Sequence, residues 1–130
     1  MRLRLDTHVF LWWITDDPRL SDRAREHISD RRNRLYLSAA SGWEIAIKSQ
    51  LGRLKLPDQP LEFVLEQMIL NEIEELPVRV HHALYVFFLP AYHRDPFDRL
   101  LIAQAKLEHL VILTADLKYY SIRCGNSLVG

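Results

Sequence analysis

The run Leu110-Val111-Ile112-Leu113-Thr114 constrains this chain more than any other segment. It is too short for a stable helix and has no polar alternation to offer water, so it reads as a strand covered on both faces, as in a parallel sheet. Such cover requires helices, and the preceding sequence supplies one. Asp95-Pro96-Phe97-Asp98 places an N-cap aspartate before a proline at the first helical position, which starts a helix running to about Glu108. Asp116 follows the strand.

The same alternation of strand and helix continues upstream. Leu3 and Leu5 alternate with Arg2 and Arg4 as a short strand that runs into Asp6, and the apolar run Val9 to Ile14 then reads as a helix. Ser21 caps a helix over Asp22 to Arg31, and Arg34 to Ser38 is a second strand. Ser41-Gly42-Trp43-Glu44 fits a capping box that opens a helix to Gln50, stopped by Gly52. Leu61 to Ile73 carries Leu61, Val64, Leu65, Met68 and Ile69 on one helical face and its acids on the other. Leu76 to Val80 reads as a short strand, His81 to Phe88 as a short helix and Ser127 to Val129 as a final strand. This order predicts an α/β fold with a central parallel sheet, in one domain spanning residues 1–130.

No stretch approaches the ~18 consecutive apolar residues of a membrane span. Met1-Arg2-Leu3-Arg4 begins like a signal peptide, but Asp6 and His8 stand where its apolar region belongs. The expectation is a soluble, unexported chain without membrane association. One cysteine, Cys124, excludes an internal disulfide framework and a multi-cysteine zinc site, fits a reducing cytoplasm and reads as a buried small hydrophobe.

Seventeen Lys and Arg balance seventeen Asp and Glu, which at first argues against a nucleic-acid partner. The balance is uneven along the chain. Residues 58–75 hold six acids (Asp58, Glu62, Glu66, Glu72, Glu74, Glu75) and no Lys or Arg, so the remainder is basic by six charges. The acidic segment reads as the solvated face of one helix.

Ligands of open parallel sheets bind beyond the carboxyl ends of the strands. Asp6 and Asp116 each end a strand, and Glu44 and Asp98 each stand in the first turn of a helix that begins at the same edge. Four acids could share one pocket there. At ~4 Å and an effective dielectric of 20, each like-charged pair costs about 4 kcal/mol, so the cluster calls for a cation. All-oxygen donors favour Mg²⁺ or Mn²⁺ over zinc, and the chemistry suggested is metal-assisted phosphodiester hydrolysis with a carboxylate as general base.

Each acid also has an ordinary structural reading. Glu44 can close the capping box with Ser41, Asp98 can favour a helix N-terminus, and Asp95 reads as an N-cap. Thr7 and Thr114 could orient water or carboxylates, or make local turn bonds. The six histidines show no metal-ligand spacing: adjacent His81 and His82 should face different ways on a helix. Trp12, Trp13 and Trp43 read as core or interface residues rather than base-stacking platforms, and the arginines of residues 19–34 mostly as a solvated helix face, with phosphate contact as the lesser alternative. No Gly-rich phosphate loop, G-x-S-x-G or Cys and His nucleophile pair occurs.

Four segments in order, Leu5-Asp6-Thr7-His8-Val9-Phe10-Leu11-Trp12-Trp13, Ser38 to Lys48, His93 to Ala105 and Leu113-Thr114-Ala115-Asp116, resemble the motifs of PIN-domain proteins. The resemblance is to the VapC-like ribonuclease toxins of type II toxin-antitoxin modules, and it spans Leu3 to about Tyr120. It implies a three-layer α/β/α fold, a homodimer, and a Mg²⁺- or Mn²⁺-dependent endoribonuclease that hydrolyses RNA with metal-activated water, leaving a 5′-phosphate and a 3′-hydroxyl. A cognate antitoxin would block the site. Carried over by position, Asp6, Glu44, Asp98 and Asp116 would be the catalytic metal ligands, with Thr7, Thr114 and Asp95 in support. The stretches Pro18 to Arg31 and Leu61 to Ile73 are candidates for the antitoxin clasp. Two positions depart from the pattern: Arg4 replaces an apolar strand residue, which suggests an edge, an acidic partner or a dimer contact, and Gly42 weakens a helix start by up to ~1 kcal/mol.

Other readings are a non-catalytic PIN-like binding module, a Mg²⁺-dependent phosphatase and a receiver-like domain. The phosphatase needs a second Asp where His8 stands. The receiver needs an acidic pair near the first strand and a late strand-end Lys, neither of which is evident.

Overall fold

In the computed structural model, which describes residues 1–90, 95–115 and 127–129, the N-terminal strand lies at the middle of the sheet. β1 (Arg2–Leu5) leads into α1 (Thr7–Ile14), α2 (Asp22–Ser29), β2 (Arg34–Ser38), α3 (Ala39–Gln50), α4 (Pro60–Leu70) and β3 (Ile73–Leu76). After these come α5 (Val80–Tyr85), a 3₁₀ turn (Val86–Phe88), α6 (Pro96–Leu107), β4 (Val111–Thr114) and β5 (Ser127–Val129). The strands lie in the order β3-β2-β1-β4-β5, and each described pairing is parallel.

Strand alternation divides the core into two layers of side chains. Leu3 and Leu5 of β1 join Leu35, Leu37 and Leu113 beneath Phe10 of α1, Ile28 of α2, Ile45 of α3 and Val64 of α4. On the other face Tyr36 and Ile112 pack with Leu89 and with Ile102 and Ala105 of α6. Both faces are covered, as the apolar β4 run demands, and the result is the expected three-layer α/β/α arrangement. Among the described residues no helix is long and apolar enough to cross a membrane. The reading of Cys124 falls outside the described residues.

Arg4 is a correction. Its strand is flanked by β2 and β4, in register with Tyr36 on one side and Ile112 on the other. It therefore points into the α6 layer, fully buried, and its three guanidinium nitrogens have no hydrogen-bond partner among the described residues. A sheet edge is excluded, since β3 and β5 are the outer strands.

The acidic segment is also not one helical face. Helix α4 stops at Leu70, Asn71 caps it, and Glu72 turns the chain at φ 53°. Glu74 and Glu75 then belong to β3, which replaces the strand expected at Leu76 to Val80. Only Ile73 and Leu76 of this strand face inward, and as an edge strand β3 leaves its two glutamates in solvent, with Glu74 3.0 Å from Arg34. Similarly, α2 ends at Ser29 rather than Arg31, because Asp30 turns back to accept from the Arg32 backbone and guanidinium.

Candidate metal centre

From β1 the chain builds outward through β2 and β3, then returns to place β4 on the other flank of β1. Strand order reverses between β1 and β4, the position where open parallel sheets form a ligand crevice. Asp6 and Thr114 stand at this point. Asp6 caps α1 with extended backbone (φ −64°, ψ 151°), and its Oδ1 accepts from the Thr7 N–H at 3.0 Å. Its Oδ2 accepts from the Thr114 hydroxyl at 3.0 Å, while its own N–H donates to the Leu113 carbonyl at 2.9 Å. The carboxylate is 7% exposed and is held from the start of α1 and the end of β4 at once.

Helix α3 reaches the same place by a different start than expected. Ser38, not Ser41, is its N-cap, accepting from the Ala40 N–H at 3.0 Å. That shift releases Ser41 from capping, and its buried Oγ accepts from the Thr7 hydroxyl at 2.8 Å, tying α3 to α1. Glu44 consequently closes no capping box. It lies a turn further on, 7% exposed, with the Lys48 ammonium 2.8 Å from its Oε2.

At the start of α6, Asp95 is the N-cap the sequence predicts, accepting from the Phe97 N–H at 2.9 Å. Asp98, in the first turn, shares with Asp6, Glu44 and Asp95 the wall of a cleft of about 650 Å³. Three of the four predicted ligands therefore open on one cavity. Asp116 lies outside the described residues; its neighbour Ala115 lines the cleft.

Two contributors escaped the sequence reading. Ser41 was concealed by its fit to a capping box, whereas Lys48 carried a legible signal, four residues after Glu44 on one helix. Arg19, which also lines the cleft, lies over Trp12 with its guanidinium carbon 5.1 Å from the ring centroid. Bonds from the Arg19 guanidinium and backbone hold the Asp17 carboxyl down at about 2, and the same pairing raises Arg19 itself.

The donors at the cleft are hard carboxylate oxygens. They suit an oxygen-seeking divalent cation such as Mg²⁺ or Mn²⁺, and nothing in the set favours zinc. Among the described residues a closer grouping of potential ligands lies elsewhere: donor atoms of His81, His82 and Glu108 fall within 4.8 Å of one another. The two rings, expected to diverge, approach to 4.3 Å between centroids. Buried His82 accepts the Arg79 N–H at Nδ1 (2.9 Å), so Nε2 carries the proton and donates to Glu108 at 2.7 Å. With both nitrogens committed, this trio joins α5 to the end of α6 as a structural clasp.

The PIN domain family matches residues 4–123. In Mycobacterium tuberculosis, Ribonuclease VapC22 is 30% identical to this chain over 106 residues, covering 81% of this chain and 78% of its own. Ribonuclease VapC16 of the same organism is 39% identical over 70 residues, 51% of this chain and 48% of its own, so the match spans about half of that relative. Among solved structures, DNA-bound VapBC from Salmonella typhimurium superposes with a TM-score of 0.73 at 18% identity, covering 99% of this chain and 98% of the other. VapBC2 from Rickettsia felis, bound to a promoter DNA fragment, gives 0.72 at 15% identity with the same coverage. At such identities these structures speak to the fold.

Proposed function

The chain belongs to the PIN-domain family, and on that premise we propose that it is a Mg²⁺- or Mn²⁺-dependent endoribonuclease, the toxin of a type II toxin-antitoxin module. The observation that carries this reading is the convergence of Asp6, Glu44 and Asp98 on one cleft at the strand-order reversal. The ribonuclease names of the two relatives support the substrate class, and the antitoxin-bearing VapBC assemblies among the structural neighbours support a protein partner.

In this reading Asp6, Glu44, Asp98 and Asp116 hold the cation, with Asp95 at the rim. When bound, the ion supplies charge stabilisation at the phosphate and lowers the pKa of a water nucleophile. The remaining work falls to the chain. Thr7 and Thr114 keep both Asp6 oxygens oriented, and the Thr7–Ser41 bond keeps α1 and α3, hence Asp6 and Glu44, at fixed separation. A carboxylate oxygen of the cluster accepts the proton of the attacking water. Lys48 and Arg19 set positive charge along the wall, where a phosphodiester would enter. The protein acts as a homodimer and is blocked by its antitoxin, for which α2 and the exposed Leu61, Leu65 and Ile69 of α4 are the candidate clasp.

The test is cleavage of total RNA by antitoxin-free protein with Mg²⁺ or Mn²⁺, beside Asp6→Asn and Asp98→Asn. Loss on the order of 100-fold in both variants and in EDTA is expected. Activity persisting in both variants or in excess EDTA sinks the assignment. Antitoxin binding without cleavage by wild-type protein identifies a non-catalytic binding module instead.

A further inference from the structure

A second cavity, of about 660 Å³, adjoins the acidic cleft and shares His8, Trp12, Arg19 and Lys48 with it. Its far wall is the segment after α3, and the sequence dictates how that wall is built. Gly52 adopts φ 73°, which lets its N–H reach the Ser49 carbonyl and the Arg53 N–H reach the Lys48 carbonyl at 2.9 Å, a Schellman stop. The chain leaves this turn with Leu54 and Leu56 packed on the core, while Arg53 and Lys55 between and beside them stay exposed on the cavity wall. Neither cation takes part in an ion pair among the described residues. The two carboxylates of the same cavity, Asp16 and Asp17, are already bonded to Arg25 and Arg19. The surface is therefore cationic in effect, aromatic at its junction with the cleft, and continuous with it.

We propose that this groove is the track for the RNA strand on one side of the cleaved phosphodiester, with Arg53 and Lys55 on backbone phosphates and Trp12 stacking an unpaired base. This rests on the nuclease reading for the identity of the bond cut, but the groove's affinity for RNA stands on its own geometry. A polyanion matches the two uncompensated cations, and the flat Trp12–Arg19 pair matches a base face rather than a peptide side chain. Stacking requires that the base be unpaired, so the occupant is single-stranded.

Binding of a fluorescein-labelled, 2′-O-methyl oligoribonucleotide of about eight nucleotides, in EDTA, tests the groove without turnover. The proteins compared are antitoxin-free wild type, Arg53→Ala/Lys55→Ala, Trp12→Leu and the control Arg31→Ala/Lys106→Ala. The groove double variant should bind about tenfold more weakly, with the slope of log affinity against log salt reduced by about 0.7 for each cation removed. Trp12→Leu should weaken binding with the salt slope unchanged, and the control should behave as wild type. Equal affinity and slope in the groove variant and wild type overturn the proposal. So does a groove variant that keeps RNA but loses the antitoxin, which would make this a protein-docking face. RNA held through the groove but never cleaved by wild type with metal leaves the track standing and removes the nuclease reading.

Discussion

The Thr114 hydroxyl donates to Asp6 Oδ2 at 3.0 Å, joining the carboxyl ends of two neighbouring strands that lie 108 positions apart in the chain. The bond is buried, and Asp6 Oδ1 is separately fixed by the Thr7 N–H, so the carboxylate has little freedom to rotate. Thr114→Val keeps the shape and removes the donor. Cleavage should fall by about tenfold, the scale of losing a bond that orients a metal ligand, and stability by about 1–2 kcal/mol. Thr114→Ser should restore most of both, as read by initial rates and urea denaturation.

In the proposed metal site Lys48 would compete with the cation for Glu44. Its ammonium sits 2.8 Å from Oε2, where a divalent cation would otherwise draw on the same oxygen. Lys48→Met removes both a competitor and a like charge, so Mn²⁺ should bind a few-fold more tightly by calorimetry, equivalent to about 1 kcal/mol. Weaker Mn²⁺ binding by the variant would show that Lys48 supports the site in another way.

Arg4 brings into the α6 layer a guanidinium with no hydrogen-bond partner among the described residues. Burying a charge without a partner is costly, and replacing such a group with an apolar side chain of similar length is commonly neutral or favourable. Arg4→Met should raise stability by about 1–4 kcal/mol, seen as a higher urea midpoint with unchanged slope. A lower midpoint would contradict the burial.

Asp17 gives a pH signature. Arg19 binds the ionised form and depresses its pKa to about 2, so the contribution of the pair is complete above the ordinary aspartate value of 3.8 and is lost as pH falls through about 2. Carboxyl-carbon NMR titration should show this midpoint in wild type and a return toward 3.8 in Arg19→Gln. An unshifted midpoint in wild type would mean that Arg19 is free to leave Trp12.

Much of this molecule is written locally. The β4 run specifies a doubly covered strand, Asp95-Pro96 specifies the start of α6, and both fall where expected because short-range chemistry decides them. Asp6 was legible as a strand-end acid. What the sequence conceals depends on neighbours from distant segments. Ser38 and Ser41 are equally good caps on paper, and the choice between them is settled by Thr7, more than thirty positions upstream, which takes the Ser41 hydroxyl. Ile73–Leu76 lacks strand alternation because an edge position excuses two adjacent glutamates from burial. Arg4 follows no rule of pattern, since nothing adjacent in sequence indicates that its strand is central.

The reversal of strand order between β1 and β4 also fixes when the cleft can exist during synthesis. Asp6 precedes its Thr114 partner by 108 positions and is made well before both Thr114 and Asp98. Without β4, the flank of β1 that carries Asp6 would be an open strand edge. Until α6 and β4 dock, the cleft lacks Asp98 and the Thr114 bond to Asp6. The cleft is therefore completed only when the later of its walls has been made and docked.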